Sequence, residues 1–448
     1  MAFIRSISGL RATLGEHLTP TVVCNYVAAF AQITPSGAIV VGRDGRPSGA
    51  WIELLVTATL NACGRDVILL GVATTPTVQL ITEHSAAVGG ISITASHNPA
   101  EWNGLKFIDS TGVFLDAAAN AQLWSVADSK EFSFTTQQQG GHIHPNQVAA
   151  EEHIQRVLEL DAVQGAPMAS GQIVVVDAVN CSGSVIVPEL LRRLGYTPFL
   201  LFADGSGVFP HAPEPLAENL GQLGNAVREQ SAAFGIAVDP DADRLVLYDE
   251  GGNPIGEERT IALAAKALLD SGERGTIVVN YSTTRLVDDV AAEYSCSVVR
   301  SAVGEINVVE RMRSVNAVLG GEGSGGVILQ QCHAGRDSIV GIALITAYLR
   351  KHAVTLRDAV ALLPKYEMIK TKIALPSGAA AENILNSVAT AFPDATVQRE
   401  DGVHLSWSNK WAHIRVSNTE PIMRIIAEAP TEEQARTLVE TIQHHIHE

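Results

Sequence analysis

The sequence predicts an α/β protein with three related α/β domains, built on mixed sheets around a central cleft, and a smaller C-terminal α+β domain. Two observations carry that prediction. Three segments open alike, at Gly37 (GAIVVGRDGRPSG), Gly171 (GQIVVVDAVNCSG) and Gly275 (GTIVVNYSTTR), each a glycine, one residue and a β-branched run. Such a run reads as a buried strand of a parallel sheet. The residues from about 366 onward lack this pattern and read as several short strands and two helices.

Each opening strand is followed by an apolar-periodic helical stretch, WIELLVTATLNACG, VIVPELLRRLG or LVDDVAAEY. A second strand comes next, DVILLGVATTP, PFLLFADGS or CSVVRSAVG, and a further helical stretch leads to a third. The third strands end in GGISITASHNP, FGIAVDPDADR and NAVLGGEGSGG. This is one βαβαβ unit used three times. Ligands bind at the carboxyl ends of strands in open α/β sheets, so three units aim one loop each at a shared cleft. Domains are expected at 1–150, 151–253, 254–365 and 366–448. The last has strands in KTKIAL, VQRED, VHLSWS, AHIRVS and MRIIAEA. It also has helices in AAENILNSVATAF and TEEQARTLVETIQHHI, the second with a capping-type start. The polar stretch KEFSFTTQQQGGHIHPNQ (130–147) is the best linker or loop candidate.

Composition narrows the function. The 448 residues are 46% hydrophobic and 18% charged, which suits a folded chain, and the net charge is −17. Such an acidic surface repels phosphate backbones and anionic lipid, so nucleic-acid and membrane partners are not expected. A pocket's field is set by its own few groups, so a small anion remains a fit. The five cysteines are widely spaced, with no zinc or redox motif. That pattern, with no signal-like N-terminus and no apolar run of membrane length, predicts a cytoplasmic protein.

Four loops carry candidate chemistry. In DPDADR, Asp239, Asp241 and Asp243 alternate on a loop after a strand, where their carboxylates converge on one hard cation such as Mg²⁺. The Asp-x-Asp-x-Asp start and Glu250 at the twelfth place imitate an EF-hand. Arg244 stands where that loop needs glycine, and the flanks are strands, so the EF-hand is rejected. In TASHNP, Ser96 follows a strand in a turn fixed by Asn-Pro, which suits a nucleophile or phosphate carrier with His97 beside it. Lys106 follows closely enough to return to the same site. GGEGSGG (320–326) lacks the Lys-Ser/Thr of a P-loop, but its Glu322 and Ser324 suit sugar hydroxyls, with His333, Arg336 and Asp337 near. In RVSNTEPIMR, Arg415 and Arg424 flank Ser417, Asn418 and Thr419, the makings of a phosphate cradle. Together the four loops point to phosphoryl transfer on a sugar phosphate.

With SGLR (8–11), TASHNP, DPDADR, GEGSGG and RVSNTEP in this order, the chain resembles the α-D-phosphohexomutase family over essentially its whole length. The resemblance implies that Ser96 is a phosphoserine that donates and regains phosphate. It implies that Asp239, Asp241, Asp243 and the Ser96 phosphoryl group bind one Mg²⁺. Glu322 and Ser324 would contact sugar hydroxyls, and from its position near that loop His333 is taken as a further substrate-binding candidate. Arg415, Ser417, Asn418, Thr419 and Arg424 would hold the non-reacting phosphate. Arg11, Lys106 and Arg244 would sit near the transferred group. It further implies a bisphosphosugar intermediate and activator, a sugar phosphate as partner, and a monomer or homodimer.

Two positions depart from that family's pattern. Relatives often carry His or Tyr where this chain has Gly326, which leaves the general base open among Lys106, His97 and His333, in that order. Relatives also often have glycine at the place of Ala12. The motifs resemble most the branch acting on glucosamine phosphates, with mannose or glucose phosphates as the alternative. Two other classes stay open, an aspartyl phosphatase using Asp239 and a non-catalytic sugar-phosphate sensor.

Overall fold

The computed structural model describes residues 3–136, 140–375, 381–416 and 422–447. The first unit contributes β1 (Phe3–Ser6), β2 (Gly9–Thr13), β3 (Ile39–Arg43), β4 (Val67–Val72), β5 (Gly89–Ile93), β6 (Trp102–Asp109) and β7 (Ile143–Pro145). The second contributes β8 (Ile173–Asp177), β9 (Thr197–Phe202), β10 (Phe234–Val238) and β11 (Leu245–Tyr248). The third contributes β12 (Thr276–Asn280), β13 (Ser297–Ser301), β14 (Leu319–Glu322) and β15 (Gly326–Ile328).

The three sheets share one plan. Their orders are β1-β2-β6-β5-β3-β4-β7, β11-β10-β8-β9 and β13-β12-β14-β15. In each, the repeat's first strand lies between its second and third, and all three run parallel. A fourth strand then turns back antiparallel beside the third, in the pairs β5/β6, β10/β11 and β14/β15. This fourth strand makes the sheets mixed, and it moves the chemistry. TASHNP, DPDADR and GSG are therefore hairpin loops, tied at both ends to a sheet.

The expected linker behaves differently in part. Residues 143–145 form β7, which pairs parallel with β4 at the edge of the first sheet. Its backbone thus finds partners within a sheet, as a buried or edge strand's must.

A helix apolar on all faces joins these units. Ser338–His352 (SIVGIALITAYLRKH) is buried continuously from Ser338 to Leu349, as an all-round apolar helix must be. Asp337 caps it, accepting from the Ile339 N–H at 2.8 Å. The helix contributes Ile342 and Ile345 to one core that also holds Val40 and Ile81, Val174 and Leu190, and Leu263 and Ile277. That shared core locks the first three units together.

The last unit keeps its own core. Its sheet runs β16 (Glu367–Ala374), β20 (Ile422–Ala429), β19 (Trp411–Val416), β18 (Val403–Ser406), β17 (Thr396–Gln398), all antiparallel. Helices Ala381–Ala391 and Glu432–His447 cover it, and Leu405, Ile425 and Ile442 are fully buried between. It is fastened to the third unit. Thr284 donates its hydroxyl to Glu428 and the Arg285 N–H gives a 2.9 Å bond to the same carboxylate. Ser282 pairs with His413 at 2.8 Å, and Lys370 reaches Glu257 and Glu258 at 2.8 Å each. Among the described residues, no helix is long and apolar enough to cross a membrane.

Candidate active site

Ser96 sits in the β5–β6 hairpin with a left-handed backbone, φ 50°. A non-glycine residue there needs support from its surroundings. The support is a buried pair missed by the sequence reading, Asp44 and Arg46, just past β3. Asp44 accepts from Arg46 Nε at 3.0 Å and from Thr94 Oγ1 at 2.7 Å, and Thr94 Oγ1 in turn accepts the Ser96 N–H at 2.9 Å. The Arg46 guanidinium binds the carbonyls of Ser96, Asn98 and Pro99 at 2.6, 2.7 and 2.8 Å. Five planar donors suit such a cluster of carbonyls. The signal was present in GRDGR, three charges at the carboxyl end of an apolar strand.

The Ser96 hydroxyl donates to Asp239 Oδ2 at 3.0 Å, across from the second unit, and lies 3.2 Å from His97 Nδ1. The β10–β11 hairpin closes around Asp239. Its Oδ1 accepts the Asp243 and Arg244 N–H groups at 3.1 and 3.2 Å, and Ala242 takes the left-handed corner at φ 54°. Asp241, Asp243 and Asp239 are each 0% exposed. Lys106 on β6 donates to Asp241 Oδ2 at 2.6 Å and to Asp243 Oδ2 at 3.1 Å. Thr75 Oγ1 adds 2.7 Å to Asp241 Oδ2.

These contacts leave one side of each carboxylate open. Asp241 Oδ1 and Asp243 Oδ1 are buried and accept no hydrogen bond from any described residue. One carboxylate oxygen from each of the three aspartates lies within 4.8 Å of the others. Burial and the neighbouring Asp243 and Asp241 charges push the Asp239 carboxyl well above its ordinary value. Three buried carboxylates with converging oxygens, of which Asp241 Oδ1 and Asp243 Oδ1 lack a hydrogen bond among the described residues, and a serine hydroxyl fit a divalent cation bound through oxygen. The residues therefore suit Mg²⁺.

Lys106 does not fit the role of general base. It is 1% exposed and off the cleft wall, and its ammonium is turned onto Asp241 and Asp243, whose charges raise its pKa against the lowering effect of burial. His333 does not fit either. It is 1% exposed and off the cleft wall, with Nε2 at 3.1 Å from Asp337 Oδ2, which His153 Nε2 also meets at 2.8 Å. The short i,i+4 step from His333 to Asp337 turns the ring into the protein. Of the three, His97 is the one that lines the cleft. Burial and the positive charges of Arg244 and Arg11 hold its pKa well below the ordinary histidine value.

The third hairpin brings Glu322 to the same cleft. Its Oε1 accepts Asn280 Nδ2 at 2.7 Å and the Gly304 N–H at 3.0 Å, and its Oε2 accepts Arg336 Nη1 at 2.7 Å. Thr283 Oγ1 accepts the Gly323 N–H at 3.1 Å, fixing the turn. A cleft of about 570 Å³ is lined by Arg11 and His97, by Arg244, by Glu322 and Ser324, and by Arg415 and Arg424. All four units thus meet there. Arg415 and Arg424 stand side by side on β19 and β20. Ser417, Asn418 and Thr419 lie outside the described residues. Arg11 reaches Asn98 Oδ1 at 3.2 Å, and Arg244 lies 3.6 Å from Glu214.

Four family descriptions match this chain in succession. Phosphoglucomutase/phosphomannomutase alpha/beta/alpha domains I, II and III match residues 4–134, 151–252 and 257–366, and the C-terminal domain matches 371–445. A protein of Methanopyrus kandleri named "Probable phosphoglucosamine mutase" is 32% identical, with 96% of this chain and 95% of the relative covered. A "Phosphoglucomutase/phosphomannomutase" of Thermococcus kodakarensis is 34% identical, with 96% of each covered. A crystal structure of a Burkholderia thailandensis phosphoglucomutase/phosphomannomutase family protein shares the fold at TM-score 0.84 and 23% identity, covering 99% of this chain and 98% of that one.

Proposed function

The chain belongs to the phosphoglucomutase/phosphomannomutase family, and from that premise we propose that it interconverts hexose 6-phosphate and hexose 1-phosphate through a phosphoserine at Ser96. The observation that carries this reading is the 3.0 Å approach of Ser96 Oγ to Asp239 Oδ2, where a hairpin of one unit meets the carboxylate hairpin of the next. A serine beside three buried aspartates suits phosphoryl transfer.

The residues divide the work. Ser96, Asp239, Asp241 and Asp243 hold Mg²⁺, which when bound neutralises charge on the transferring group. Lys106, Arg11 and Arg244 add fixed positive charge around the phosphoserine. Glu322 and Ser324 orient the sugar through its hydroxyls. Arg415 and Arg424, with Ser417, Asn418 and Thr419, bind the phosphate that is not reacting. In the first transfer the bond from Ser96 Oγ to phosphorus breaks and a bond from the sugar oxygen to phosphorus forms. The sugar hydroxyl's proton passes to His97, and His97, with Nδ1 3.2 Å from Ser96 Oγ, returns a proton to the departing serine oxygen. The resulting bisphosphosugar turns end for end in the cleft and returns its other phosphate to Ser96. The same compound, added in catalytic amount, activates unphosphorylated protein.

Glucosamine phosphate is the substrate this reading favours, supported by the names of relatives such as that of M. kandleri. The T. kodakarensis relative's name favours glucose and mannose phosphates instead. The test is side-by-side turnover of glucosamine, glucose and mannose 1-phosphates with Mg²⁺, the matching 1,6-bisphosphate and a Ser96→Ala control. A glucosamine preference abolished in Ser96→Ala is expected. A preference for glucose or mannose would reassign the sugar, and turnover surviving Ser96→Ala would overturn the mechanism.

A further inference from the structure

Arg336 lies just past the third unit's hairpin, and each arm of its guanidinium meets a different carboxylate. Nη2 donates to Asp243 Oδ2 at 2.7 Å, Nη1 to Glu322 Oε2 at 2.7 Å, and Nε to Glu305 Oε2 at 3.1 Å. The first belongs to the second unit's aspartate loop and the second to the third unit's sugar loop. Glu305 in turn accepts Gln79 Nε2 of the first unit at 2.8 Å. One side chain therefore joins all three hairpin-bearing units behind the cleft, and it also lines the cleft wall.

The sequence makes room for it. A Cβ at Gly326 would lie 2.4 Å from Arg336 Cδ and 3.0 Å from Cγ, so any side chain at 326 collides with the arginine's stem. The missing side chain at 326 is thus filled space, occupied by Arg336. The adjacent Asp337 fixes the arginine's backbone by capping the buried helix. Only a forked guanidinium reaches three carboxylates at once, because an ammonium is a single point donor.

We propose that Arg336 is a positioning residue that couples the metal site to the sugar site. It holds Asp243 through Oδ2, leaving Oδ1 toward the cation, and it holds Glu322 through Oε2 from the same plane. Setting either carboxylate sets the other. Cation binding that fixes Asp243 also fixes Glu322, and so tightens sugar-phosphate binding, with the reciprocal effect required by linkage. The inference rests on the proposed sugar-phosphate reading, but binding rather than turnover tests it.

The experiment uses unphosphorylated full-length protein, which has no phosphoryl group to transfer. Calorimetry measures glucosamine 1-phosphate binding with and without Mg²⁺, and Mg²⁺ binding with and without glucosamine 1-phosphate. The natural chain is expected to show each ligand tightening the other about fivefold or more. In Arg336→Gln and in Arg336→Lys the mutual tightening falls below about twofold, though both ligands still bind. Gly326→Ala, which displaces the arginine's stem and keeps its charge, gives the same loss and stands in if an Arg336 variant fails to fold. Thermal melting identifies the folded variants. Tightening retained in any folded variant, or absent from the natural chain, would overturn the proposal. Failure of turnover alone would overturn the mutase reading instead.

Discussion

The β10–β11 and β14–β15 hairpins occupy the same place in two copies of one unit, yet their carboxylates are treated in opposite ways. Asp241 and Asp243 each keep a buried oxygen with no hydrogen bond among the described residues. Glu322 has both oxygens satisfied, by Asn280, the Gly304 N–H and Arg336. The backbone frame is equivalent, so the difference lies in what the neighbouring chain supplies. One hairpin is left with room for a cation from outside the protein, and the other is completed from within. A buried charge needs a partner in either case.

The sharpest way to break that contrast is to remove the open charges. Asp241→Asn or Asp243→Asn should lower turnover about a thousandfold and abolish calorimetric Mg²⁺ binding. If either variant binds Mg²⁺ as the natural chain does, the contrast fails. Lys106→Met should come next. It leaves Asp241 without its internal cation and Asp243 with Arg336 as its remaining one, and is expected to cost about 3–5 kcal/mol of stability in the absence of metal. Added Mg²⁺ should restore much of that in a thermal melt, because it supplies the missing positive charge. Asn280→Ala should have a smaller effect. Freed from one of its donors, Glu322 is held less well, so KM for the sugar phosphate should rise about tenfold while Mg²⁺ affinity stays the same.

The smallest effect extends the same rule to an imidazole. His404 in the fourth unit is 4% exposed and both its ring nitrogens lack hydrogen-bond partners among the described residues. Burial, aided by the charge of Arg300, pushes its pKa down to about 2. The unfolded chain takes up a proton near pH 6.5, and the folded protein refuses it. Stability is therefore unaffected above that pH and falls as pH drops below it, by up to about 1.4 kcal/mol per pH unit. His404→Phe should flatten the acid side of a melting-temperature profile. An unchanged slope would show that His404 is protonated in the fold.

The loops were legible in the sequence because each packs its chemistry into a few consecutive residues. DPDADR announces a carboxylate cluster, and TASHNP a serine on a rigid turn. The repeat was legible from its three glycine-led strands. Its fourth strand was legible in part, since the flank after DPDADR read as a strand and Lys106 was expected to return toward the Ser96 site. What stayed hidden are single polar residues whose partners lie far along the chain. Arg46 supports Ser96 from 50 positions away, and Arg336 meets Asp243 from 93. The local sequence, GRDGR and the stretch after GGEGSGG, shows both residues but not these partners. The surroundings of His333 and Lys106 stayed hidden for a related reason. Their residue types suit acid–base chemistry, but Asp337 and the aspartate pair fix what each can do.

The left-handed backbone at Ser96 has a consequence for which amino acid can occupy that position. Threonine carries the same hydroxyl and is esterified by phosphate just as readily in principle. Its branched Cβ, however, is a poor fit to φ near +50°, where even serine needs the clamp of Arg46. Of the two aliphatic alcohols in the genetic code, this turn admits the primary one. A change from serine to threonine, conservative by any chemical table, is here a change of backbone.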